Sequence, residues 1–234
     1  MSGNESPKLL IATGNAGKAR GQREQVRKLL LTLAQRRQRP GSGSLRTLLL
    51  ERTARMPVPH LGKTLDPLPW AVVGAVATRL YMPERATQDL DIAVRPGDQG
   101  EVRQRLASAG FHYQGELSIG GSSWRSPEGI VVDVVELDQP WSAQALAEAR
   151  DNLDPQGLPV LSLPYLVLMK FQAGRLQDLA DVARMLGQAT EAMLTAVRQL
   201  FATLAPQDSG DLESLIALGQ LEMGPGGEDR AGSP

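Results

Sequence analysis

The chain has no cysteine in its 234 residues. That excludes disulfides and thiolate metal sites, and it fits a reducing compartment, with the cytoplasm as the expected location. Only two histidines occur, His60 and His112, too few and too far apart for a histidine zinc centre. Aromatic residues make up 4% of the chain, which argues against a base-stacking platform. No apolar run approaches the roughly 18 residues that a membrane span needs. Lys8 is followed by a short apolar stretch, Leu9 to Ala12, which does not read as a secretory signal, so no membrane association is expected. What is present is an ordinary apolar content of 41%, enough for a packed core.

Charge is balanced in total and uneven along the chain. The formal net charge is −1. Residues 1–60 carry twelve Lys/Arg against three Asp/Glu, whereas residues 61–234 carry thirteen against twenty-three. A basic arm on an acidic body suits contact with nucleic acid, contact with the body itself, or a solvated tail.

The expected organisation is a basic, partly helical extension over 1–58, an α/β core over 59–160, a helical region over 161–222 and a disordered tail over 223–234. Residues 18–38 have helical spacing of Val26, Leu29, Leu30 and Leu33. Residues 39–44 read as a linker, 45–55 as a short helix, and the prolines at 57 and 59 end it. Strands are expected at 70–74, 89–94, 111–119 and 130–137. Helices are expected at 75–81, 98–109 and 141–150, with the Gly-Gly-Ser-Ser-Trp stretch at 120–124 as a loop. Ser122 and Ser123 there read as a plain turn or as lining of a cleft. From Ser162 onward only helices are expected, the first opened by a Ser162 cap and Pro164; the others lie at about 176–187, 190–204 and 209–220. The fold class is therefore α/β, or α+β: a mixed sheet followed by a helical region.

Chemistry concentrates in three carboxylates. Asp89 and Asp91 lie two apart in a strand pattern, so both project from one face about 7 Å apart, while Leu90 and Ile92 face the core. Asp133 interrupts the β-branched run Ile130 to Val135. A buried carboxylate needs a partner. If the two strands are neighbours, all three carboxylates share a face and suit Mg²⁺, one ion or two, in phosphoryl or nucleotidyl transfer. Against this stands the plain reading of a strand-start aspartate and an aspartate paired with an arginine. Gly74, between a strand and a helix, lets backbone amides approach phosphate.

These residues resemble a known family. Gly74-Ala75-x-Ala77 followed by Arg85-x-Thr87-x-Asp89-Leu90-Asp91-Ile92 is similar to the motif of the DNA polymerase beta-like nucleotidyltransferases, and within them to the AbiEii-type branch, the toxins of type IV toxin–antitoxin systems. A second stretch, Lys170 to Asp181, resembles that branch's helical K-x-x-A-x-R-x-x-D-x-x-D motif. The resemblance spans residues 65–190. It implies a nucleotidyltransferase fold, Mg²⁺-dependent transfer of NMP from an NTP to an RNA or protein acceptor, and a cognate antitoxin as partner where the chain acts as a toxin. It implies that Asp89 and Asp91 bind metal, and that Asp133 binds a second ion or accepts the acceptor's proton. Gly74, Ala75, Arg85 and Thr87 would meet the nucleotide, and Lys170 and Arg175 its triphosphate. Asp178 and Asp181 would hold those cations, or else form surface salt bridges. Ala75 departs from the family's second Gly or Ser, removing a hydroxyl. The alternative reading is an inactive nucleotide-binding or partner-binding module. Leu9 to Arg20, with Thr13, Gly14, Asn15 and Lys18, also resembles the phosphate loop of inosine triphosphate pyrophosphatases. None of that family's later motifs follow, so this stretch is not expected to function.

Overall fold

The structure, a computed structural model, describes residues 21, 24–36, 59–82, 87 and 89–223. Arg85, the 13–18 stretch, the expected linker and helix at 39–55 and the tail from 224 lie outside the described residues.

A five-stranded mixed sheet forms the core, in the order β1-β2-β5-β4-β3. Strand β1 (Trp70–Val72) is buried along its length and runs antiparallel to β2 (Asp89–Val94). Strand β5 (Val131–Glu136) lies parallel to β2. On its far side follow β4 (Gly121–Arg125) and β3 (His112–Glu116), each antiparallel to its neighbour. Leu90, Ile92, Trp124, Val132 and Val134 are buried on one face. The opposite face is only half-buried at Asp89, Asp91, Ser123, Val131, Asp133 and Val135. One packed and one partly open face gives the alternation seen over Asp89–Ile92 of β2 and Val131–Val134 of β5.

Of the 120–124 stretch expected as a loop, Gly121 to Trp124 are strand. Ser122 stands opposite Val134 and accepts a 2.9 Å bond from Trp124 Nε1, so its hydroxyl is satisfied in the interior. Gly121 is needed there because a Cβ would fall 1.9 Å from the Val134 carbonyl oxygen. Loop-like composition here reflects close strand approach, not a turn. The strand expected at 70–74 ends at Val72, and the one expected at 111–119 covers only His112–Glu116.

Helix α1 (24–36) precedes the core and α2 (Leu61–Leu65) leads into β1. Helix α3 (Gly74–Ala77) continues as a 3₁₀ turn, Thr78–Leu80, in place of one longer helix. Helix α4 (Gln99–Ser108) links β2 to β3, and α5 (Ser142–Ala149) follows β5. The C-terminal region is helical as expected: α6 (Leu163–Ala173), α7 (Leu176–Gly187), α8 (Glu191–Leu204) and α9 (Ser209–Met223). Helix α6 begins after Ser162 in extended conformation, with Pro164 in the first turn, and ends on Gly174 at φ 65°, a left-handed stop that suits glycine. Helices α7 and α9 touch through glycine: a Cβ on Gly219 would lie 1.8 Å from the Ala183 carbonyl oxygen.

Helix α1 packs by a different face from the one its apolar spacing suggests. Val26, Leu29 and Leu33 are exposed, whereas Leu31 is buried. Arg27 turns inward, bonding Asp208 at 2.7 Å and Asp211 at 2.8 Å, with its guanidinium 4.2 Å from the Phe171 ring centroid. Two carboxylates and an aromatic face outweigh the leucine stripe in setting the helix's rotation.

Candidate active site

Parallel pairing of β2 and β5 sets Asp91 directly beside Asp133, with Asp89 beside Val131. Asp89, Asp91 and Asp133 thus project from the same, partly open face. Each is half-buried. The strands are about 4.8 Å apart, so the Asp91 and Asp133 carboxylates repel unless protonated or bridged by a cation. Burial first, and then the charges of Asp89 and Asp133, push the Asp91 carboxyl up to about 6 against the opposing charges of Lys170 and Arg175. Asp133 Oδ1 is buried and has no hydrogen-bond partner among the described residues. Among the described residues no arginine pairs with Asp133, the partner that a plain reading offered.

Gly74 closes one side. It sits at φ 65° where β1 turns into α3, and a Cβ there would fall 1.8 Å from Asp91 Oδ2. Val73 N donates to the Asp91 carbonyl at 2.9 Å, tying the turn to β2. Only glycine has both the backbone freedom and the absent side chain that this approach requires. Ala75 is buried, and its carbonyl accepts a 2.7 Å bond from Thr78 Oγ1. Thr87 donates its hydroxyl to Asp89 Oδ1, so in this structure it orients that carboxylate. Among the described residues no group of three or more acidic or histidine side chains is arranged to hold a metal ion as it stands; Asp89 is engaged by Thr87.

The second motif forms a corner between α6 and α7. Lys170, Asp178 and Asp181 are all buried. Lys170 Nζ donates to Asp181 Oδ2 at 2.8 Å and to Asp178 Oδ1 at 3.3 Å. Arg175 donates from Nε to Asp178 Oδ2 at 2.6 Å, yet its side chain is 77% exposed. Asp178 raises the Arg175 pKa first, through a hydrogen bond and then by charge. The Lys170 pairs are not the surface salt bridges that the sequence left as an equal alternative: a buried cation is held by two buried carboxylates. Gln177, not singled out in the sequence, donates from Nε2 to Asp181 Oδ1 at 3.1 Å. Its i,i+4 spacing to Asp181 was the available signal.

The structure therefore brings together Gly74, Asp89, Asp91 and Asp133, with Thr87 on Asp89 and with Lys170 and Arg175 within electrostatic reach of Asp91. Ser123 joins them: it stands opposite Asp133 on β4 and is half-buried.

No protein-family model matches the chain, and no curated protein matches it. Among solved structures, the antibiotic-resistance factor ANT(2'')-Ia in solution superposes at a TM-score of 0.40 with 16% identity, over 75% of this chain and 93% of that one. A CCA-adding enzyme in complex with CTP gives 0.34 and 12%, over 69% of this chain and 47% of that one. Terminal uridylyl transferase 4 from Trypanosoma brucei with bound GTP gives 0.27 and 14%, over 62% and 52%.

Proposed function

We propose that this chain is a nucleotidyltransferase, moving an NMP from an NTP to an acceptor hydroxyl, with Mg²⁺ held by Asp89, Asp91 and Asp133. The observation that carries this reading is the Asp91–Asp133 pair. Two carboxylates stand side by side, one carrying a buried, unpartnered oxygen and the other a raised pKa. That arrangement costs stability in the free protein and is relieved by a divalent cation with oxygen preference. Asp89 Oδ2 would complete the set while Oδ1 keeps its bond from Thr87. When bound, the cation supplies charge neutralisation at the α-phosphate and a more acidic acceptor hydroxyl.

The chain's own groups divide the remaining work. The Gly74–Ala75 turn brings backbone to the phosphates over Asp91. Arg175, exposed beside this cluster, meets the triphosphate, its guanidinium suited to paired phosphate oxygens. Lys170 acts one step back: held by Asp178 and Asp181, it fixes the α6–α7 corner that carries Arg175. Asp133, on β5 and one strand further from β1 than Asp91, binds a second ion or accepts the acceptor's proton.

The finer reading is an AbiEii-type toxin modifying RNA or protein, with a cognate antitoxin. It is supported by the two motifs occurring in order, one on β2 and the other on the α6–α7 corner. The test uses α-labelled NTPs, one at a time, with Mg²⁺ and a cell extract separated into RNA and protein. Label transferred by the wild type and lost in Asp89→Asn is the expected result. Label transferred equally by both proteins would overturn the assignment of Asp89.

A further inference from the structure

The N-terminal helix lies outside the stretch that resembles the nucleotidyltransferases, yet it is fastened beside the α6–α7 corner. Helix α1 docks by Leu31, which is buried, and by Arg27, whose side chain is 11% exposed. The guanidinium joins three elements. Nη2 donates to Asp208 in the 3₁₀ turn Pro206–Asp208 that follows α8, and Nε donates to Asp211 in the first turn of α9. The guanidinium carbon lies 4.2 Å from the centroid of the Phe171 ring on α6. Phe171 is itself buried and packs edge-on against Phe201 of α8, with ring centroids 5.3 Å apart.

Phe171 and Lys170 are neighbours in the last turn of α6, so that turn is held from two sides. Arg27 grips it through Phe171, and Lys170 ties it to Asp178 and Asp181 of α7. Arg175 follows the Gly174 stop directly and is held along its Nε edge by Asp178. A second path runs through α9. Asp211 opens that helix, and Gly219 further along it meets the Ala183 carbonyl of α7. Close-packed helices transmit a displacement, because the interior has few voids to absorb it.

We propose that Arg27 is a positioning residue for the nucleotide side of the site, an inference that rests on the nucleotidyl-transfer reading. Its clasp fixes the last turn of α6 and the start of α9, and through them the place from which Arg175 meets the triphosphate. Of the roles that the charge pattern allowed the basic segment, residues 24–36 take contact with the acidic body, and that contact serves the site.

The test measures binding of inorganic triphosphate with Mg²⁺ by calorimetry, and amide hydrogen exchange without either. Wild type is compared with Arg27→Ala, Arg27→Lys, Asp211→Asn, Arg175→Ala and the double variant Arg27→Ala/Arg175→Ala, at a temperature where all are folded. Val102→Ala, which truncates the buried core on α4, controls for lost stability alone. Arg27→Ala is expected to weaken triphosphate binding about threefold to tenfold, and to speed exchange at 170–178 as well as at 24–36. Asp211→Asn moves both readings in the same direction, Arg27→Lys recovers part of the affinity, and Val102→Ala binds as wild type does. In the Arg175→Ala background, Arg27→Ala weakens binding no further, because both act on one contact. In label transfer, Arg27→Ala raises KM for NTP with kcat little changed. Wild-type affinity in Arg27→Ala, or the same weakening with and without Arg175, would overturn the proposal. So would equal weakening by Val102→Ala. Absence of triphosphate binding by the wild type would overturn the nucleotide reading; faster exchange at 170–178 in Arg27→Ala would then leave the brace in place, and unchanged exchange there would overturn the brace as well.

Discussion

Gly74 and Asp91 approach so closely that a methyl group on the glycine would fall 1.8 Å from the carboxylate oxygen. The glycine also holds φ 65°, which costs an L side chain about 1 kcal/mol. Gly74→Ala should therefore lower stability by about 1–3 kcal/mol and displace Asp91. Transfer should fall by about 10²-fold for a shift on the order of 1 Å at the reacting centre. Thermal melts and label transfer on the same preparation check both; full activity would contradict the approach of this turn to Asp91.

The raised pKa of Asp91 predicts a pH signature. The folded-state value stands at about 6, against 3.8 for the free side chain. Between those values the native state binds more protons than the unfolded state, so stability falls as pH rises through this window. The loss amounts to about 2–3 kcal/mol. Asp91→Asn should be more stable than wild type by about that amount at pH 7, with the gap closing near pH 4. Urea unfolding of both proteins across pH 4–7, without divalent cations, measures the difference. A gap independent of pH would contradict the strained carboxylate.

Lys170 and Arg175 should separate stability from nucleotide binding. Lys170→Ala removes the buried cation that Asp178 and Asp181 share, leaving Asp178 with Arg175 alone, a loss of about 3–5 kcal/mol. Arg175→Ala removes a side chain that is 77% exposed, so its stability cost should stay below about 1 kcal/mol. Its effect should appear instead as a KM for NTP raised on the order of tenfold. Chemical unfolding and steady-state kinetics on the two variants distinguish these roles; an unfolded Arg175→Ala would reverse them.

Arg27 fastens helix α1 to the C-terminal helices. Arg27→Ala leaves Asp208 and Asp211 without their shared partner and opens the face of Phe171. The loss should be about 2 kcal/mol, and proteolysis should then cut within residues 24–36 before the rest of the chain. Equal protease resistance in variant and wild type would contradict docking through this contact.

Part of this architecture is legible in the residues themselves. The alternation at Asp89–Val94 and Val131–Glu136 foretells two strands with one apolar face, and the register confirms that Asp91 and Asp133 can meet. The helices from Leu163 to Met223 follow apolar spacing, a serine and a proline at the start, and glycine at the first stop. What was illegible depends on tertiary partners. The Gly-Gly-Ser-Ser stretch reads as a loop until Gly121 is seen packed on the Val134 carbonyl. The rotation of α1 follows Arg27, whose carboxylate partners lie some 180 residues later. The burial of Lys170 against both aspartates emerges only when α6 and α7 pack together. The pairing of Ser123 with Asp133 is likewise a matter of strand order, which no local pattern contains.

The central claim is that these carboxylates support transfer of the α-phosphoryl group and not the γ. Pyrophosphate release and incorporation of label should be followed in one reaction, with α-labelled and γ-labelled NTP in parallel, for wild type and Asp133→Asn. The account predicts one pyrophosphate released per α-label incorporated, no γ-label in the acceptor, and loss of both signals in a folded Asp133→Asn. Incorporation of γ-label, or undiminished transfer by Asp133→Asn, would contradict it.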